Sequence, residues 1–176
     1  MRPALDLLSQ YAEYHRDRRN IVSHFVGVPM IVFAVGVLLA RPGFVLGGVA
    51  LTPAWVAFSL AAAWYLSRGD LGLGLAVSAA VGVLLMLAQS VSGNSGVVSW
   101  LAWGIGFFVV GWLIQFVGHW YEGKKPAFVD DIVGLLVGPM FITAEALFAF
   151  GWNRNMLAEI ERRAGPTMLR DMAKIA

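Results

Sequence analysis

The chain has 176 residues, 59% of them hydrophobic and only 14% charged, with a mean hydropathy of +0.70. Soluble domains are about half apolar and about a quarter charged. A soluble globule and a disordered chain are therefore excluded, and the absence of cysteine excludes a disulfide-stapled secreted domain. A net charge of +2 is too small to argue for a nucleic-acid partner, and the polar, charged start of the chain does not read as a signal peptide.

The charges are unevenly placed. The 51 residues between Asp70 and Glu122 contain no Asp, Glu, Lys or Arg, and residues 20–40 are likewise without them. Apolar runs above ~18 residues read as membrane spans, so the sequence predicts an integral membrane protein. Residues 3–19 form the first predicted element, an amphipathic surface helix. Leu5, Leu8, Tyr11, Ala12 and His15 fall on one side of it, and Asp6, Glu13, Arg16 and Asp17 on the other. Such a helix lies on the membrane surface or covers the mouth of a bundle.

Four apolar segments follow within 23–121, at 23–40, 44–66, 71–91 and 97–121. Short turn sequences separate them: Arg41-Pro42-Gly43, Ser67-Arg68-Gly69-Asp70 and Ser92-Gly93-Asn94-Ser95-Gly96. In the third, Gly74, Ser78 and Gly82 recur every four residues, a stripe of small residues that lets helices approach closely. The last apolar stretch, 132–152, carries Gly138-Pro139 near its middle and Glu145 inside it. A proline in a helix interior costs ~3 kcal/mol, so this stretch kinks or folds back as a re-entrant hairpin, and 153–176 make an interfacial tail. With four spans, a returning hairpin and a cytoplasmic N-terminus, 12 of the 13 cations, among them Lys174, lie inside and only Arg41 outside. The expected fold is all-α: a polytopic membrane helical bundle of one domain, 1–176, with both termini cytoplasmic.

Polar residues on these helices carry the functional signal. The chain has three histidines. His24 opens the first span, His119 ends the fourth on the same side, and His15 precedes His24 on that side. On the fourth span Gly104, Gly111, Gln115, Gly118, His119 and Glu122 share about a quarter of the circumference, where glycines open space and the polar groups face into it. His15 and His24 would sit on opposite sides of a continuous helix, so both can point at one centre only if the chain bends between them, with Asn20 as an N-cap for the bend. Imidazole suits Fe, Zn, Cu and Ni, and a mixed histidine and carboxylate set with open positions suits Fe(II) and O2 chemistry. Ionisable groups at membrane depth are by default functional. Glu122, three residues after His119, is a candidate fourth ligand or a group that orients His119. Glu145 is brought towards the same mouth if the last stretch folds back; the alternative is a charge pair with Lys124 or Lys125.

At these residues the sequence resembles the fungal ER 2-hydroxy-fatty-acid dioxygenase family, long catalogued only as a domain of unknown function and with many bacterial members. The resemblance rests on "YHRDRRNIVSHFVGVP", on "QFVGHWYEGKKPA" from Gln115 to Ala127 and on "GPMFITAE" from Gly138 to Glu145. It implies an Fe(II)-dependent membrane dioxygenase that shortens long-chain 2-hydroxy fatty acids by one carbon, with O2 as co-substrate and Zn as a possible substitute metal in a purified sample. By the same match His15, His24 and His119 take the family's iron-binding histidines, and Glu122 and Glu145 its acidic positions; all five are expected catalytic residues, with Glu122 the candidate fourth ligand. Asn20, Gln115 or Lys124 are the expected holders of the substrate carboxylate. Several members carry a second histidine beside the first, where this chain has Tyr14 and Arg16. The expected location is a bacterial inner membrane, with membrane lipid as surroundings. Two other readings are a haem-binding electron carrier with His24 and His119 as axial ligands, and a metal-free lipid-binding scaffold.

Overall fold

The computed structural model describes residues 2–41, 43–94 and 96–171. Pro42 and Ser95 of the predicted turns, and residues 172–176 with the cation Lys174, lie outside the described residues. The chain is an essentially all-α bundle: α1 (Ala4–Ala12), α2 (Arg18–Ala40), a hairpin of β1 (Phe44–Leu46) and β2 (Val49–Leu51), α3 (Pro53–Leu66) and α4 (Leu71–Asn94). A continuous rod follows, made of α5 (Val97–Leu101), a π-helical turn (Ala102–Gly106) and α6 (Phe107–Glu122); α7 (Gly134–Ala149) and α8 (Arg154–Ala164) complete the chain. Among the described residues three helices are long and apolar enough to cross a membrane: Arg18–Ala40, Leu71–Gly93 and Val97–Glu122.

The second expected span is built differently. Residues 44–66 do not make one long helix, because Gly47 and Gly48 both adopt positive φ (57° and 83°) and close a two-residue hairpin that pairs Phe44 with Leu51 and Leu46 with Val49. Pro53 then starts a 14-residue helix, about 21 Å long and short of the ~30 Å hydrocarbon thickness. Even so, α3 returns the chain to its starting end, where Ala4 N–H donates to the Arg68 carbonyl at 2.8 Å.

The last apolar stretch also departs from expectation. It does not fold back at Gly138-Pro139, because α7 runs through Pro139 as one 16-residue helix. Helical turns already begin at Asp131, whose carbonyl accepts Gly134 N–H at 2.7 Å, so proline forfeits a single bond in an otherwise satisfied element. Reversal comes later, at Gly151 (φ 83°) and Asn153 (φ 40°), where Asn153 caps α8.

Helix α2 is the axis of the bundle, with α6 and α4 packed along it and α3 and α7 beside them. The glycines on α6 serve close approach to α2 rather than open space: a Cβ on Gly111 would stand 2.8 Å from Ile31 Cγ1 and 3.1 Å from the Gly27 carbonyl. Alanine at Gly118 would push its methyl into the Ser23 hydroxyl and to 2.6 Å from Asn20 Oδ1. Overpacking of this kind costs about 1–3 kcal/mol, so Gly118→Ala is expected to lower the melting temperature in detergent by at least a few degrees. An unchanged melting curve would show that the two helices need not stand so close.

Helix α1 is shorter than the predicted surface helix and better covered. It packs on α7 and α8, burying Leu7, Leu8, Tyr11 and Ala12. Arg163 to Asp6 (2.7 Å) and Arg2 to Asp131 (2.6 Å) tie it to α8 and to the start of α7. The 67–70 turn, the 123–131 loop and α8 therefore gather with α1 at one end of the bundle, while Arg41 lies over the Trp100 ring at 5.2 Å.

Candidate metal centre

Helix α1 stops at Ala12, and the N–H groups of Tyr14 and His15 close a turn onto the Tyr11 and Ala12 carbonyls. The chain then extends through Arg16 to Asp17, whose Oδ1 accepts Arg19 N–H at 2.8 Å and caps α2. A bend between His15 and His24 is thus present, with Asp17 as its cap. Asn20 sits instead in the first turn of α2, where its amide donates to the Tyr14 carbonyl (3.0 Å) and to Glu122 Oε2 (3.2 Å). Burial opposes the Asp17 charge, but the Arg19 guanidinium and the N–H groups of Arg170 and Arg19 outweigh it and hold the carboxyl at about 2.

The bend delivers His15 to His24 on α2 and His119 on α6. Ring centroids stand 4.3 Å apart for His15 and His24, 4.9 Å for His15 and His119, and 5.1 Å for His24 and His119. All three are buried, and one nitrogen from each lies within 4.8 Å of the others. Tyr11 stacks on His15 at 4.1 Å.

Counting protons tests whether a cation fits. His15 Nδ1 is 2.7 Å from the Tyr11 carbonyl, the two Nε2 atoms are 2.9 Å apart, and His24 Nδ1 is 2.9 Å from the Asn20 carbonyl. These three contacts need three protons, and two neutral imidazoles carry only two. Both carbonyls accept only, which leaves the Nε2 atoms as two lone pairs pointing at each other. A metal ligand is typically in this state, with one ring nitrogen donating to a carbonyl and the other offered to the metal. His119 Nδ1 adds a buried nitrogen with no hydrogen-bond partner among the described residues. The three side chains fit a metal ion that imidazole binds.

The surroundings of His15 disfavour the missing third proton. Burial first, and then His24 and His119 as neighbours, drive its pKa well below the ordinary 6.5. Unfolded, the same side chain protonates below pH ~6.5, so the unfolded state binds more protons there and stability falls as pH drops. The contribution is fully present above pH ~6.5 and is lost below it at up to about 1.4 kcal/mol per pH unit. The metal-free protein is therefore expected to melt at progressively lower temperature from pH 7 to pH 5. Equal melting temperatures across that range would contradict a buried neutral His15.

Beside His24 and His119 a cavity opens, lined by Tyr11 and Gln115 and by apolar residues including Val28, Ile31, Trp112 and Pro139. Gln115, one turn before His119, is buried there with Oε1 unpaired among the described residues. Of the expected carboxylate holders it alone lines this cavity. Asn20 is engaged with Tyr14 and Glu122, and Lys124 points away, donating to the Glu13 carbonyl at 2.8 Å and lying exposed over the Tyr14 ring.

Neither acidic residue reaches the imidazoles. Glu122 Oε2 accepts from Arg16 N–H (2.9 Å), Asp17 N–H (2.7 Å) and Asn20, and Oε1 receives the Arg170 guanidinium (2.8 Å). Both oxygens are so engaged, at the His15 bend, and the metal-capable group consists of the three histidines without Glu122. Glu145 faces Arg16 at 3.5 Å rather than Lys124 or Lys125. Lys125 pairs with Asp130 at 2.6 Å.

Sequence reasoning passed over Arg16 and Asp17, which are buried rather than on a polar outer face, and Tyr11 and Arg170. The spacing of Asp17 and Arg19 carries a cap signal; nothing in the sequence points from Arg170 to Glu122. The segment 165–170 crosses the bend as a strap. Met168 N–H donates to the Arg16 carbonyl and Arg18 N–H to that of Met168 (both 2.9 Å), and Arg170 N–H reaches Asp17 Oδ2 at 2.8 Å.

Comparison with known proteins identifies relatives of the whole chain. A family profile described as "2-hydroxy-palmitic acid dioxygenase Mpo1-like" matches residues 1–150. The chain is 34% identical over 164 residues to the 2-hydroxy-palmitic acid dioxygenase MPO1 of Saccharomyces cerevisiae, covering 89% of this chain and 88% of that protein. No solved structure matches.

Proposed function

The chain belongs to the Mpo1-like family of 2-hydroxy-palmitic acid dioxygenases, and from that premise we propose that it is a non-haem Fe(II) oxygenase that shortens long-chain 2-hydroxy fatty acids by one carbon. The observation that carries this reading is the proton-deficient pair of His15 and His24, completed by His119, at the head of an apolar cavity. His15, His24 and His119 hold the metal. A metal held there would supply activation of O2. The Gln115 amide meets the substrate head, and the surrounding helices keep water from it. Glu122 and Glu145 act through the bend: the first fixes the backbone on either side of Arg16, the second the Arg16 side chain. Burial of the acyl tail favours long chains by about 0.8 kcal/mol per methylene.

His15 packs against both His24 and His119, filling the slot that a haem plane between those two would need. Three apolar helices of membrane-crossing length and the gathering of cations at the end that holds α1 and α8 support one lipid-embedded domain in a bacterial inner membrane, with both termini cytoplasmic.

The test is anaerobic loading with Fe(II), elemental analysis, and exposure to air with 2-hydroxypalmitate. Pentadecanoic acid is the expected product. Iron-bound protein that yields no shortened acid from long-chain 2-hydroxy acids would rule out this substrate class.

A further inference from the structure

The cavity at the histidines does not end there. A second, mostly apolar groove runs between α2, α3, α4, α6 and α7, and the two share Ile31, Val32, Trp112, Leu135 and Pro139 as walls. The two adjoin at these walls, so that a path from His24 and His119, past Gln115, would continue along α2. Along α2 its floor continues through Val35 to Leu39, 15 residues beyond His24, or about 22 Å at 1.5 Å per residue. That exceeds half of the ~30 Å hydrocarbon core, the depth that the acyl chains of one leaflet fill.

Small side chains on α3 make the room. Ala54, Ala57 and Ala61 line the groove at spacings of three and four, which put them on one face of the helix. Helix α3 runs back towards the metal end. Ala54 packs with Ala40 and Leu85 at the far end, whereas Tyr65 hydrogen-bonds the Leu136 carbonyl (3.0 Å) near the site end. Ala61 is thus nearer the imidazoles and Ala57 deeper. We infer that this groove takes the acyl tail of the 2-hydroxy acid and that Ala61 and Ala57 set the chain length the enzyme accepts, an inference that rests on the proposed reaction. The tail enters methyl-end first, and the polar end of the path holds the carboxylate and hydroxyl beside the three imidazoles.

The experiment has two arms. In the first, kcat/KM is measured for 2-hydroxypalmitate and 2-hydroxylaurate with wild type, Ala61→Phe and Ala57→Phe, each with its iron content determined. A ring at position 61 is expected to lower the palmitate-to-laurate ratio at least about tenfold, and one at 57 to lower it less. Unchanged ratios in both variants, with iron retained, overturn the inference. In the second arm, wild-type protein is photolysed with a 2-hydroxy fatty acid bearing a mid-chain diazirine. Labels on Phe58 or Leu85, competed by 2-hydroxypalmitate but not by excess phospholipid, support the groove. Labels on the outward-facing Leu60 or Leu87, or competition by phospholipid, show ordinary lipid contact and overturn it. Groove labelling without turnover would remove the proposed reaction and leave the acyl site standing.

Discussion

Replacing His24 by alanine is expected to strip the protein of metal and bring turnover to background while leaving the helical bundle intact. His24 is 2% exposed, and its Nε2 stands 2.9 Å from that of His15. Its removal deletes one of three imidazole donors and leaves His15 with an ordinary spare lone pair. Changes to groups that only orient a ligand weaken metal binding about 10–100-fold, so loss of a ligand itself should exceed ~100-fold. The measurement is iron per chain after anaerobic loading, alongside the far-ultraviolet circular dichroism of the same sample. Wild-type iron content in His24→Ala would remove the metal centre from consideration.

The second large effect is expected at Glu122. Its carboxylate is fully buried and accepts from two backbone N–H groups, the Asn20 amide and the Arg170 guanidinium. In Glu122→Ala each buried donor left without an acceptor costs about 1–3 kcal/mol, and the partly exposed Arg170 guanidinium loses its partner. Several kcal/mol of stability should therefore go, and metal affinity should fall about 10–100-fold as the His15 bend is released. The milder Glu122→Gln separates tether from ligand. Cobalt(II) bound to this variant should show the wild-type visible spectrum at reduced affinity; a changed spectrum at saturating cobalt would put Glu122 in the coordination sphere.

Much of the bundle was legible because hydropathy accumulates residue by residue, and 51 successive positions without a charge have few places to go but lipid. Convergence of the histidines was legible for a related reason: short turns fix which helix ends lie together. The 44–51 segment was not, since a brief apolar run reads equally as strand or helix, and only the positive φ of Gly47 and Gly48 decides the matter. Arg16 and Asp17 were assigned to an outer face because helical phase was carried past Ala12, where the helix ends. Glu122 was rightly placed beside His119 on its helix, but its partners are backbone N–H groups and a guanidinium 48 residues away, and side-chain spacing is blind to both.

The strap at 165–170 fixes an order of events in the life of the molecule. A ribosome delivers His15 and His24 first, His119 only after most of the bundle has been made, and Arg170 later still. Until that arginine reaches Glu122 and Asp17, the bend carrying His15 lacks its outer fastening. Any metal held by the three imidazoles would accordingly gain its full enclosure only after the strap has closed. Newly inserted chains would therefore pass through a stage in which the His15 bend is made but not yet fastened from outside.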